Sequence, residues 1–232
     1  MLKKGFTVTQ ALFKRPFNVI PVIKTLFWRW LIEPLAVWFL GFYFFRILNG
    51  RVVGIEHLIP PPYILAFNHS SYLDWLLVYH VFSRHYGIEV FFLAKSKLNA
   101  NPVWRSCVAH GKAIVVDYDN KQSIRKALLQ MRAHLGDRHV VGIFPEGTRS
   151  ADGLLQAPQE GVAWLAIKAD VPIIPVALQG FYEAWPRHSL LPGKARCTIR
   201  IGAAVIQEQA SDRQQVTQKL MDNLAQLLAE HD

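Results

Sequence analysis

From residue 51 to the carboxyl terminus, short apolar, β-branched runs alternate with segments of helical period, and few architectures accommodate that order. The strand candidates are 51–56, 63–67, 90–94, 113–117, 139–144, 173–178 and 197–202. Several are nearly continuous in apolar residues, as suits central strands covered on both faces. Helical-period segments lie between them at 72–84, 101–110, 121–135 and 158–169. A terminal amphipathic helix follows from about Asp212, with Val216, Leu220, Leu224, Leu227 and Leu228 on one stripe. Ile124, Leu128, Met131 and Leu135 form a similar core-facing stripe. The expectation for residues 51–232 is an α/β fold, a mostly parallel central sheet flanked by helices. A chain of 232 residues has room for one such domain and an appendage.

The appendage is residues 1–50, and the charge distribution identifies it. The chain carries a net +9. Residues 1–51 hold eight basic side chains (Lys3, Lys4, Lys14, Arg15, Lys24, Arg29, Arg46 and Arg51) against one acid, Glu33. That is +7, so the remaining 181 residues share +2. The same stretch holds Trp28, Trp30, Trp38, Phe27, Phe39, Phe42, Tyr43, Phe44 and Phe45. Basic residues among aromatics can bind single-stranded nucleic acid, but the uncharged run 34–45 suits lipid better. It is shorter than the ~20 residues a membrane-spanning helix needs, and no cleavage site follows it as a signal peptide requires. The expectation is a helical membrane anchor, amphipathic or re-entrant and broken at Pro34, with Trp rings at headgroup depth and Lys/Arg facing anionic lipid. A buried core helix is the alternative. Polybasic attraction places the protein on the cytoplasmic face of the inner (plasma) membrane, peripheral or monotopic, and no nucleic-acid partner is expected.

Ligand sites of open α/β sheets lie at the carboxyl ends of strands, and two strand ends here carry dense polar clusters. Asn68-His69-Ser70-Ser71-Tyr72-Leu73-Asp74 follows 63–67, and Pro145-Glu146-Gly147-Thr148-Arg149-Ser150 follows 139–144. No HExxH, GxxxxGK[ST] or GxGxxG pattern occurs, and Cys107 and Cys197 form no CxxC, so neither a metal nor a bound cofactor is expected. A chain reversing after His69 can return the Asp74 carboxylate to the imidazole. The contact would orient the ring and leave its other nitrogen as a general base. With Ser70 or Ser71 as nucleophile the same dyad would serve a hydrolase; without one it would activate a substrate hydroxyl directly. Alternatively Ser71 or Asp74 is a helix cap and His69 a loop residue. In the second cluster Gly147 permits close backbone approach. Thr148 and Arg149 can receive an anion, Arg149 bidentately. Glu146 can order that arginine or bind a polyol. A surface turn with an ordinary ion pair is the alternative.

Taken together, the spacing Asn-His-x4-Asp, then Phe-Pro-Glu-Gly-Thr-Arg-Ser about 75 residues on, then Val171-Pro172-Ile173-Ile174-Pro175-Val176, resembles the glycerophospholipid acyltransferase family, the 1-acyl-sn-glycerol-3-phosphate acyltransferases and their relatives. The resemblance covers roughly residues 52–205. It implies acyl transfer from an acyl-coenzyme A or acyl carrier protein thioester, as co-substrate, to a lysophospholipid hydroxyl. The implied product is phosphatidic acid. By resemblance His69 is the base and Asp74 its partner. Glu146, Gly147, Thr148 and Arg149 form the acceptor-binding block, Pro172 and Pro175 shape the site wall, and Lys95, with Leu98, adds a second cation. Family members tend to carry an N-terminal membrane anchor, in keeping with 1–50.

Two positions depart from the family pattern. Tyr118 stands where an arginine usually follows Asp117, and Gln159-Glu160 replace a basic pair before Gly161. Both remove positive charge near the acceptor. Lys95, Lys112, Lys121 and Arg125 are candidates to compensate; a different lyso-lipid head group is the other resolution. A lipid ester or thioester hydrolase using Ser70 or Ser71 remains a further alternative, though no GxSxG elbow is present. Backbone N–H groups near the turn, such as that of Gly147, are candidates to stabilise an oxyanion.

Overall fold

The computed structural model describes residues 33–97, 112–207 and 212–230. The expected helix at 101–110, Leu98, Cys107, and the basic and aromatic residues before Glu33 lie outside them. Seven strands form one sheet: β1 (Arg51–Val53), β2 (Tyr63–Phe67), β3 (Val90–Lys95), β4 (Ala113–Val116), β5 (Val140–Ile143), β6 (Ile173–Gln179) and β7 (Thr198–Ile201). Their order across the sheet is β1-β7-β6-β2-β5-β3-β4. Every neighbouring pair is parallel except β6 with β7.

The strand at the centre explains the continuous apolar run at 63–67. All five residues of β2 are buried. Tyr63, Leu65 and Phe67 face one core with Leu77, Val81, Phe82, Phe92 and Phe181. Ile64 and Ala66 face the other with Met131, Leu135, Val162, Leu220 and Leu224. Successive strand side chains point to opposite faces, so a central strand covered on both sides reads as a near-continuous apolar run. In β5, Gly142 leaves room for the ring of Phe92, which would lie 2.2 Å from a Cβ at that position.

Among the described residues, six α-helices accompany the sheet: α1 (Glu33–Phe42), α2 (Leu73–Val78), α3 (Lys121–Gly136), α4 (Gly161–Ala169), α5 (Phe181–Ala184) and α6 (Arg213–Ala229). Asn120 caps α3, its side chain accepting from the N–H groups of Gln122 and Ser123. The segment expected as one helix at 72–84 is α-helical only to Val78, and Tyr79–His85 continue as a π-helix. The strand expected at 51–56 stops at Val53. Gly54 adopts φ 81°, where a Cβ would sit 2.0 Å from the carbonyl oxygen of Ile201.

The chain divides into two units, Met1–Phe39 and Leu40–Asp232, and only residues 33–39 of the first are described. Pro34 is the second residue of α1, a first-turn position that needs no intrahelical N–H donor. Leu35, Trp38, Phe39 and Phe42, at i, i+3, i+4 and i+7 on α1, are all exposed. The π-helical turn after it, Tyr43–Ile47, behaves differently. Its Phe44, with Leu48, is completely buried in the core of the second unit, although both belong to the stretch expected as anchor. No helix among the described residues is long and apolar enough to cross a membrane.

Candidate active site

The loop after β2 is fixed at its first residue. Asn68 accepts from the Leu178 N–H (2.7 Å) and donates to the Leu178 carbonyl (3.3 Å), clamping the ends of β2 and β6 together. The chain then turns into α2, whose first turn carries Asp74 back over the loop. Oδ2 of Asp74 accepts three hydrogen bonds: from His69 Nδ1 (2.7 Å) and from the backbone N–H groups of Ser70 (2.7 Å) and Ser71 (2.9 Å). Asp74 is fully buried, whereas 22% of the His69 side chain is exposed. A carboxylate facing Nδ1 sets the proton on that nitrogen and leaves Nε2 as the acceptor. The imidazole also stacks on Phe144, centroids 4.2 Å apart at 29°.

The loop after β5 meets this one through backbone bonds. Glu146, 4% exposed, accepts from the His69 N–H with Oε1 (2.6 Å) and from the Gln156 N–H with Oε2 (2.8 Å). Burial holds its carboxyl pKa above the ordinary value, and those two bonds offset only part of the rise. Both carboxylate oxygens are thus committed to backbone and tie the second loop to the histidine. In return, the Ser150 N–H donates to the His69 carbonyl at 2.8 Å. Gly147 has φ 67°, and its N–H donates to the Phe144 carbonyl at 3.0 Å. That N–H closes the turn and does not point at an oxyanion, contrary to the expectation for it. Gly147 and Thr148 are exposed.

Arg149 lies over the Tyr72 ring, its guanidinium carbon 3.8 Å from the centroid. One of its Nη atoms is buried and makes no hydrogen bond. Lys95 stands exposed at the carboxyl end of β3. Lys112 is held elsewhere: it precedes β4 and pairs with Glu89, which precedes β3, at the amino ends of these parallel strands. It therefore supplies no charge to the site. The side chain of Gln159 lies against Gly147, 3.6 Å from the position a Cβ would take there.

The two serines differ in their surroundings. Ser71 Oγ donates to the Trp185 carbonyl (2.8 Å) and accepts from the Leu73 N–H (3.1 Å). Ser70 lines a cavity of about 920 Å³ between the end of β6, the start of β7 and α6. Neither hydroxyl is hydrogen-bonded to His69 among the described residues. Nothing in the sequence marks Gln156, Trp185 or Arg187 as neighbours of this site. They lie in loops distant in sequence from His69 and meet the site through long-range contacts.

The family model for acyltransferases matches residues 49–179. A mouse 1-acyl-sn-glycerol-3-phosphate acyltransferase alpha is 31% identical over 159 residues, 66% of this chain and 54% of the relative. A 1-acyl-sn-glycerol-3-phosphate acyltransferase of Chlamydomonas reinhardtii is 29% identical, over 67% of this chain and 44% of the relative. One of Saccharomyces cerevisiae is also 29% identical, over 63% and 50%. The chain thus spans about half the length of these relatives. The crystal structure of the 1-acyl-sn-glycerophosphate acyltransferase PlsC from Thermotoga maritima shares the fold, with a TM-score of 0.63 over 92% of this chain and 98% of that one, at 20% identity.

Proposed function

Because this chain belongs to the acyltransferase family, we propose that it moves a fatty acyl group from a thioester to the hydroxyl of a lysophospholipid, most specifically 1-acyl-sn-glycerol 3-phosphate to give phosphatidic acid. The observation that carries the reading is the oriented His69–Asp74 pair joined through Glu146 to the loop bearing Arg149. The names of the relatives point to the same acceptor.

The chemistry runs as follows under this reading. Nε2 of His69 takes the proton of the acceptor hydroxyl as its oxygen attacks the thioester carbonyl carbon. The imidazolium formed is stabilised by the Asp74 carboxylate at Nδ1. The tetrahedral oxyanion collapses, the C–S bond breaks, and the imidazolium returns its proton to the leaving sulfur as a thiol. Arg149, with its unbonded Nη, receives the acceptor phosphate beside Gly147 and Thr148, and Lys95 adds charge from the end of β3. Glu146 acts by holding His69 in place. The donor is acyl-coenzyme A or acyl carrier protein. The exposed apolar face of α1 and the basic segment before it dock the enzyme at the cytoplasmic face of the membrane. For Ser71 the hydrolase alternative is disfavoured, because its hydroxyl already donates its one proton to the Trp185 carbonyl.

The deciding experiment supplies purified protein with acyl-coenzyme A or acyl carrier protein and a panel of lyso-acceptors, scoring product by mass. His69→Ala should lower turnover by about 10²- to 10⁴-fold. Arg149→Ala should chiefly raise KM for a phosphorylated acceptor. Near-full activity in His69→Ala would remove the assignment.

A further inference from the structure

A second arginine, distant in sequence, is brought to the loop that carries Arg149. The segment Trp185-Pro186-Arg187 follows α5, more than a hundred residues from the His69 loop, yet several contacts stitch the two together. The Trp185 carbonyl accepts from Ser71 Oγ at 2.8 Å and from the Tyr72 N–H at 3.3 Å. Ser71 and Pro186 form an antiparallel bridge, and the rings of Tyr72 and Trp185 lie 5.5 Å apart. Arg187 is thereby brought to Arg149. Its Nη1 donates to the Arg149 carbonyl at 3.5 Å, and the Tyr72 hydroxyl donates to the Arg187 carbonyl at 3.4 Å.

Arg187 thus adds a second positive side chain to the loop of Arg149, where an anion shared by both would be favoured. No ion pair engages either guanidinium among the described residues. Arg187 is exposed, and one Nη of Arg149 is buried without a hydrogen bond. The buried Arg149 donor calls for an acceptor, and the exposed Arg187 fork has further donors beyond the one given to the Arg149 carbonyl. A phosphate, with several oxygens and up to two charges, matches two planar forks better than any single protein carboxylate.

We propose that Arg187 is a second phosphate-binding cation, set beside Arg149 at Tyr72, and that the pair selects acceptors carrying a phosphate monoester. The inference rests on the acyl-transfer reading for the identity of the phosphate's bearer. A monoester dianion gains from both guanidiniums, whereas a diester, with one charge and a bulky substituent, gains less. Tyr72 is a positioning residue: its ring lies under one guanidinium and its hydroxyl holds the backbone of the other.

The test measures binding of sn-glycerol 3-phosphate and of lysophosphatidic acid by calorimetry, in a His69→Ala background that cannot turn over. A monoacylglycerol serves as the uncharged probe. KM for lysophosphatidic acid is measured in parallel in the protein with His69 intact. Arg187→Ala should weaken both phosphate ligands about tenfold, the loss of one charged contact, and leave the monoacylglycerol alone. Arg187→Lys should recover part of the loss. Tyr72→Leu should raise acceptor KM more than it changes kcat, with Tyr72→Phe closer to the parent. Lys219→Ala, an exposed cation on α6, is the charge control. Phosphate binding unaltered by Arg187→Ala, an equal loss for the uncharged probe, or no phosphate binding at all would overturn the proposal. Arg187-dependent phosphate binding in a protein without acyl transfer would overturn the enzymatic reading and leave the arginine pair standing.

Discussion

A single oxygen, Oδ2 of Asp74, carries most of the organisation at the site. It collects three N–H donors inside the fold while the carboxylate is fully buried. A buried charge is tolerable only with such partners. Asp74→Asn keeps the shape and an acceptor oxygen but removes the charge that stabilises an imidazolium. Turnover should fall about 10²- to 10⁴-fold, while the loss of charge assistance costs about 1–3 kcal/mol of stability. Steady-state kinetics and a thermal melt on the same preparation check both halves, and kcat within a few-fold of the parent would refute the imidazolium role. Neighbouring Ser71 shows why residue type alone misleads. Its hydroxyl invites a nucleophile's role, but the fold uses it to hold the Trp185 segment.

At the scale of elements, the π-helical turn Tyr79–His85 places a titratable group where the core leaves it little room. His80 is 7% exposed, and its Nε2 lies 2.8 Å from the position a Cβ on Gly41 would take. Burial first, then the charges of His85 and Arg84, hold its pKa below 6.5. His134, stacked on Phe91, shifts in the same direction through burial and its neighbour His139. The unfolded chain binds these protons near pH 6.5, and the folded chain binds them only at lower pH. Stability from these groups is therefore complete above pH 6.5 and declines as the pH falls below it. Urea midpoints measured between about pH 7.5 and 5.5 should decrease on acidification, and His80→Phe should flatten part of that slope. An identical slope in His80→Phe and His134→Phe would show that other groups set it.

For the whole molecule, charge and apolar surface are segregated along the chain. Residues 1–51 carry +7 in sequence and include α1, on which Leu35, Trp38, Phe39 and Phe42 are exposed. Under the proposed membrane association, binding should be stronger to phosphatidylglycerol-containing vesicles than to pure phosphatidylcholine, and should weaken as salt is added. Trp38→Ser with Phe42→Ser should reduce the bound fraction in sedimentation several-fold, because the apolar area entering lipid shrinks. Equal, salt-independent binding to neutral and anionic vesicles would contradict the electrostatic part.

The alternation of apolar runs with helical segments located all seven strands, most clearly the central ones, which are buried on both faces and so read as continuous apolar runs, as β2 illustrates. The amphipathic stripes located α3 and α6 for the same reason of burial. The proximity of His69 and Asp74 was legible too, since five residues of chain at a strand-to-helix turn constrain each other locally. Long-range relations were not. That Glu146 holds the His69 backbone, that Phe44 leaves the expected anchor for the core, that Lys112 is spent on Glu89, and that Arg187 reaches Arg149 all depend on which strand ends the sheet order places side by side. Local pattern records whether a residue is buried, and so it specifies elements and the turn that carries the dyad. Only the packed sheet, by joining segments a hundred residues apart, decides which side chains become neighbours and what charge the site finally holds.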